Sequence, residues 1–186
     1  MEASLPETAA SRRVIAVVDG VDRVIAVVCQ AIILATTIVL LGVLGGNVVA
    51  RYVLARGGLH WVSEIPELLF PWLIAAGIVL AVQHGAHIAV DLLLQSLGRQ
   101  GRRVLLVAIN LLVAAAYVVL LGVALQTAGI AAAERSPIFG LPRSIGYYAL
   151  SFGALLTAWC SLSIGIRVAL VGPEAAPEPN PEEAVT

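Results

Sequence analysis

Residues 59–94 read LHWVSEIPELLFPWLIAAGIVLAVQHGAHIAVDLLL. One apolar run is framed by polar ends, with Trp61, Glu64, Glu67 and two prolines at its start and His84, His87 and Asp91 beyond it. That is the pattern of a single membrane crossing. The amphipathic ring of Trp61 suits the boundary between lipid and water. Ser63 offers a hydroxyl to cap the first free N–H groups of a helix, and Glu64 and Glu67 fall in the first turn, where the helix dipole favours negative charge. Pro66 is tolerated there because its missing N–H has no helical acceptor. Pro71 lies deeper, removes the bond to the carbonyl of Glu67 and predicts a kink near Phe70. The charge-free part, 68–83, covers about 24 Å of rise, so 61–67 must sit in one interface and 84–87 in the other.

Composition agrees with this reading. Of 186 residues, 60% are hydrophobic and 12% charged, with a mean hydropathy of +0.96. A water-soluble domain is nearer to roughly half apolar, so the chain is an integral membrane protein. All 11 basic residues are arginine and the net charge is -1, which leaves no basic face for nucleic acid. Cys29 and Cys160 both lie in apolar spans, with neither a CxxC nor a metal-ligand spacing, and read as small core residues.

In chain order, residues 1–13 form a polar tail expected to be disordered, with no apolar core of a cleaved signal peptide. Residues 14–21 are apolar but interrupted by Asp19 and followed by Asp22, a short interfacial lead-in. Residues 24–50, bounded by Arg23 and Arg51, carry no charge and give the first crossing. Gly42, Gly46 and Ala50 recur every four residues along it, either a seam for another helix or a chance pattern in an apolar segment. The second crossing is 62–84. Beyond it His84, His87, Asp91, Gln95, Arg99 and Arg102 share one helical face, opposite a face of leucine, isoleucine and valine, which predicts an amphipathic interfacial helix or a polar-faced extension of the second crossing. Residues 104–133 form the third crossing, with Asn110 and Gln126 as its strong polar groups. The segment ERSPIFGLPR, 134–143, predicts a tight reversal. Residues 144–166 form the fourth crossing, and the Pro/Glu-rich tail 172–186 is expected to be disordered. The fold class is thus all-α: one four-helix membrane domain over 14–171, with the interfacial helix between its second and third crossings.

Four crossings put both termini on one side of the membrane. Arg12, Arg13, Arg23, Arg99, Arg102, Arg103 and Arg167 share that side, against Arg51, Arg56, Arg135 and Arg143 on the other. Seven against four places the termini in the cytoplasm by the positive-inside rule, so the start of the second crossing faces outward.

No Asp, Glu, Arg or His lies near the middle of any span, whereas a protein that itself moves ions needs such a group at depth. Paired halves with interrupted helices, the mark of a self-sufficient carrier, are missing too. A membrane haem protein wants histidines on facing helices, but His84 and His87 share one helix end and His60 lies at the other. His87 and Asp91 stand four residues apart, which permits either a working pair or simple surface pairing. Phosphate loops, nucleophile elbows and zinc spacings are absent. The sequence therefore predicts no enzyme, no cofactor and no metal.

The ordered set of residues along the chain resembles a known family. Asn47, Arg51 and Tyr52 end the first crossing; Trp61, Glu64, Leu69, Phe70, Trp72 and Gly77 follow; then come His87, Ile88, Asp91 and Leu92, and finally Leu141, Pro142, Tyr147 and Gly153. This set is similar to the small membrane subunit of tripartite ATP-independent periplasmic (TRAP) transporters, from the first crossing to the fourth. Four positions depart from the family pattern: Ser63 stands in place of an acid, Glu67 of an arginine, Ser144 of a tryptophan and Ser151 of a proline.

The resemblance implies a bacterial inner-membrane protein that works beside a larger multi-crossing permease. A soluble periplasmic binding protein would deliver an organic acid, such as a dicarboxylate or sugar acid, for symport with an ion gradient. The role implied for this chain is accessory, as a scaffold surrounded by membrane lipid. Arg51, Arg56, Trp61, Glu64 and Glu67 then either border a docking surface for the binding protein or anchor helix ends in the interface. The rival reading is a membrane anchor of a redox enzyme that holds haem or quinone at the histidines.

Overall fold

The computed structural model describes residues 9–53, 60–84 and 98–177. Its four long helices are α1 (Ala9–Val53), α2 (Glu64–Gln83), α3 (Arg99–Ala131) and α4 (Ser144–Leu170). Each is long and apolar enough to cross a membrane.

Helix α4 is the centre of the bundle. It packs against α3 on one side and α2 on the other, while α1 lies along α2 and touches α4 more lightly. Burial follows: 61% of the membrane-spanning window of α4 is enclosed, against 11% for α3. The cause is residue size. The buried positions of α4 include Ala149, Gly153, Ala154, Ala158, Ser161 and Gly165, and those of α3 are Asn110 and four alanines. In lipid, close approach of such small residues drives helix association. The tightest point is Gly153, where a Cβ would lie 2.7 Å from the Cβ of Ala75 on α2. At Gly165 a Cβ would meet the Cβ of Asn110 at 3.5 Å.

Helix α1 is joined to this core over its first two-thirds. Val18, Ile25, Cys29, Thr36 and Leu40 are buried, at the three-and-four spacing of a helical seam. Ile25 and Cys29 meet Ala76, Val79 and Val82 of α2 and Cys160, Ile164 and Val168 of α4. Beyond Leu40 the packing thins, and Val43, Asn47 and Ala50 are only half-buried. Leu41, Val49, Tyr52 and Val53 are largely exposed, and nothing lies within 4 Å of where a Cβ would stand at Gly42, Gly45 or Gly46. The small-residue face seen in the sequence is therefore not a seam within the described residues.

Three expectations need correction. Helix α1 begins at Ala9, so residues 9–13 belong to it and 14–21 are not a separate lead-in. Alanine, arginine, isoleucine and valine carry the helix through Asp19 and Asp22, whose carboxylates find a partner on α4. Helix α3 begins at Arg99 rather than at 104. Its arginines are tied down there: Arg103 donates to the carbonyl of Ala169 in the last turn of α4, where a cation is favoured, and Arg99 pairs with Glu174 at 3.1 Å. The rest of the expected amphipathic helix, 85–97, lies outside the described residues. Finally, residues 172–177 fold back against α3 and α4. Gly172, at φ +131°, turns the chain so that the short helical turn Pro173–Ala175 returns Glu174 toward Arg99. The Glu174 carboxyl is held below the usual carboxylate range by its own backbone N–H and by Arg99.

Replacing Gly153 with alanine is expected to cost about 1–3 kcal/mol through overpacking, read as a lower Tm in detergent. Gly122→Ala, where nothing lies within 4 Å, should keep or raise the Tm, since alanine is the better helix former, and Ala75→Gly should restore part of the loss in the Gly153 variant.

Candidate functional site

Two polar clusters close the bundle, one at each end. At the end where α2 begins, the short turn His60–Ser63 leads into the helix. Ser63 already has helical angles, φ -62° and ψ -26°, so its hydroxyl is not placed to cap and makes no capping bond. Glu64 takes over the organisation of this end. It is only 5% exposed, and its two oxygens receive the loop between α3 and α4. The backbone N–H of Ile138 donates at 2.8 Å, that of Phe139 at 3.1 Å, and the Ser136 hydroxyl donates as well.

The loop is built to be held. The N–H of Ser136 donates to the carbonyl of Leu141 at 2.8 Å and the N–H of Gly140 to the carbonyl of Ser136 at 3.0 Å; Gly140 itself sits at φ +64°, a region glycine favours. Arg135 bridges to Pro142 and donates to the Gly140 carbonyl at 3.0 Å. Trp61 meets Phe139 edge to face at 6.4 Å, so the rim presents a half-exposed apolar patch of Trp61, Ile138 and Phe139. Beside it, Glu67 faces Arg143 at 3.5 Å and Glu134 faces the same guanidinium at 3.9 Å.

The residues named from sequence are thus placed as follows. Glu64 is turned inward, and its carboxylate is occupied by the loop rather than offered to a partner. Trp61 and Glu67 are on the surface. Arg51 is exposed and lies over the ring of Tyr52 at 5.9 Å. Trp72 packs on Phe152 with ring centroids 5.7 Å apart. Pro142 and Tyr147 line a groove between α2 and α4, and Asn47 is half-buried on α1. Arg56, His87 and Asp91 lie outside the described residues.

The cluster at the opposite end was not anticipated. Asp22 of α1 accepts from the indole N–H of Trp159 at 3.1 Å and from the Ser163 hydroxyl at 2.7 Å, and it pairs with Arg167, all on α4. Asp19 reaches the same guanidinium at 2.9 Å. The Gln83 amide at the end of α2 donates to the Asp22 carbonyl at 3.1 Å and toward the Cys160 sulfur at 3.3 Å. Three helices are tied at one point. The sequence carried a signal for it: two aspartates three apart on one helical face, and a single arginine near the end of the last span. Neighbouring His84 bonds the Leu80 carbonyl through Nδ1 at 2.7 Å. Among the described residues no group of His, Cys, Asp and Glu could hold a metal ion.

Two outcomes follow from these latches. Glu64→Ala strands one hydroxyl and two N–H donors, and amide exchange at Ile138 and Phe139 should quicken by about tenfold or more. Asp22→Ala should lower stability by about 1–3 kcal/mol, and adding Arg167→Met to it should cost much less than the arginine change alone in the native chain, the coupling expected of a shared contact.

Comparison with known proteins gives the following. Residues 40–169 match the family model for tripartite ATP-independent periplasmic transporters, DctQ component. The chain is 39% identical over 155 residues to the Sinorhizobium fredii protein called "Uncharacterized protein y4mM", a match that covers 83% of this chain and 29% of that protein. It is 28% identical over 109 residues to the Haemophilus influenzae protein called "Putative TRAP transporter small permease protein", over 59% of this chain and 66% of that one. The chain thus spans under a third of the first relative and just under two-thirds of the second. No solved structure matches it.

Proposed function

Since the chain belongs to the DctQ component family of tripartite ATP-independent periplasmic transporters, a family of transporter components and not of enzymes, we propose that it serves as the small accessory subunit of such a transporter. In this reading it braces a large permease subunit in the bacterial inner membrane, while a periplasmic binding protein supplies an organic acid. Both termini face the cytoplasm, and the Glu64 end faces the periplasm. The observation that carries the proposal is the reach of the family match, which begins at residue 40 and runs through α2, α3 and α4.

Three features support the assignment. The charged side chains that the structure describes gather at the two ends of the bundle, so the described residues offer no chain of charges across the bilayer. Helix α1 beyond Leu40 and most of α3 leave apolar surface uncovered, as a subunit that packs beside another membrane protein would. The patch of Trp61, Ile138 and Phe139, stiffened from below by Glu64, offers a binding protein a preorganised surface. Glu64 then acts by positioning the loop, and Arg51, Glu67 and Arg143 supply charge around it. The redox-anchor reading has less to stand on. The described histidines, His60 and His84, lie at opposite ends of the second crossing, too far apart along it to clasp a single haem.

Purification from native membranes through a C-terminal tag, with an absorbance spectrum, tests the assignment. A colourless preparation with a larger multi-crossing protein in near-equal amount is the expected result. A haem band with soluble redox partners, or a chain that purifies alone after gentle solubilisation, would overturn it.

A further inference from the structure

A groove of about 400 Å³ runs between α2 and α4 below the loop. Its walls include Leu68, Ile74, Ile78, Tyr147 and Leu150, and its floor is closed where Gly146 meets Pro71 and Gly153 meets Ala75. It opens sideways, since Ile74 is 58% exposed. At its mouth stand Glu67 and Arg143, 3.5 Å apart, each about half exposed. From Glu67 to Ile78 the helix rises about 16 Å, close to half of the roughly 30 Å hydrocarbon thickness of a bilayer. The groove therefore begins at the charged boundary and ends at mid-membrane.

From this geometry we infer that the groove is a binding site for one zwitterionic aminophospholipid of the outward leaflet, of the phosphatidylethanolamine class. Its acyl chain lies along Ile74 and Ile78, its phosphate on Arg143 and its ammonium on Glu67. Depth decides for a lipid over a partner helix: a crossing helix needs a face that continues through both leaflets, and this groove serves one. Charge decides the headgroup. Arg143 touches its two acids at 3.5 and 3.9 Å, longer than hydrogen bonds, so its N–H groups are open to a phosphate. Glu67 accepts from a primary ammonium, whereas a choline has no N–H to give and a phosphatidylglycerol carries no cation for it.

The test uses the full chain in nanodiscs of equal phosphatidylethanolamine, phosphatidylcholine and phosphatidylglycerol, released for native mass spectrometry. One retained phosphatidylethanolamine is expected, favoured about tenfold over each of the other two lipids, the order a charge-assisted contact supports. Arg143→Gln and Ile74→Trp should each return retention to the bulk ratio; Leu112→Trp, on the exposed face of α3, should not. A phosphatidylethanolamine with a photoreactive acyl chain should label residues 68–78 and 144–150 of the unaltered chain. Equal retention of the three lipids, unchanged retention in both groove variants, or labelling spread evenly onto α3 would each overturn the inference. So would capture of a protein segment by a photoreactive group placed at Ile74.

Discussion

In lipid an apolar side chain gains little by leaving the acyl chains for a neighbouring helix, so a bundle holds together by contacts at short range and by the few polar bonds it can make. Gly153 shows what that demands. Its backbone lies so close to Ala75 that a single methyl group would sit 2.7 Å from the next, and this contact brings α2 onto α4 along its length. The alanines of α3 do the same on the other side of α4. Because α4 is pinned on both sides, the groove beside Pro71, the loop above it and the seat for α1 all take their positions from this helix.

Close packing of small residues brings helices together but leaves them free to slide, since one alanine seam is much like the next. The polar latches remove that freedom. Glu64 fixes the start of α2 to the loop that joins α3 and α4 with three directed hydrogen bonds. At the far end Asp22 fixes α1 to Trp159, Ser163 and Arg167, and Gln83 draws in the end of α2. Both latches join groups far apart in sequence and near the membrane surfaces. There a charge stays close to water and headgroups, so its desolvation costs far less than at mid-bilayer. The bundle thus has an apolar middle that sets distances and two polar ends that set register.

The same division explains what could be read from the sequence. Spans are a matter of length and hydropathy, and four charge-free runs gave four helices. Helix ends were harder, because local polarity argues for a stop while a distant partner argues for continuation. Asp19 and Asp22 looked like a break until Arg167 stood beside them, and Arg99 to Arg103 looked interfacial until the last turn of α4 accepted Arg103. Glu64 shows the limit most clearly. Its position in the first turn of α2 was legible from the helix dipole, but its burial depends on Ile138 and Phe139, more than seventy residues on. Local pattern carries no trace of that pairing. The resemblance to a transporter family was readable because it rested on an ordered set of residues and not on any one contact.

What the bundle does not cover is as informative as what it does. A 45-residue helix extends about 67 Å, more than twice the hydrocarbon thickness, yet the fully buried positions of α1 end at Leu40. The remaining turns keep glycines at 42, 45 and 46 with open space beside them. In a monomer such turns would do better with leucine or valine, since glycine weakens a helix by about 1 kcal/mol and here gains no contact in return. The family match begins at residue 40, where the fully buried seam of α1 ends among the described residues. Under the proposed role, the exposed apolar side of these turns is surface that a larger membrane subunit would cover.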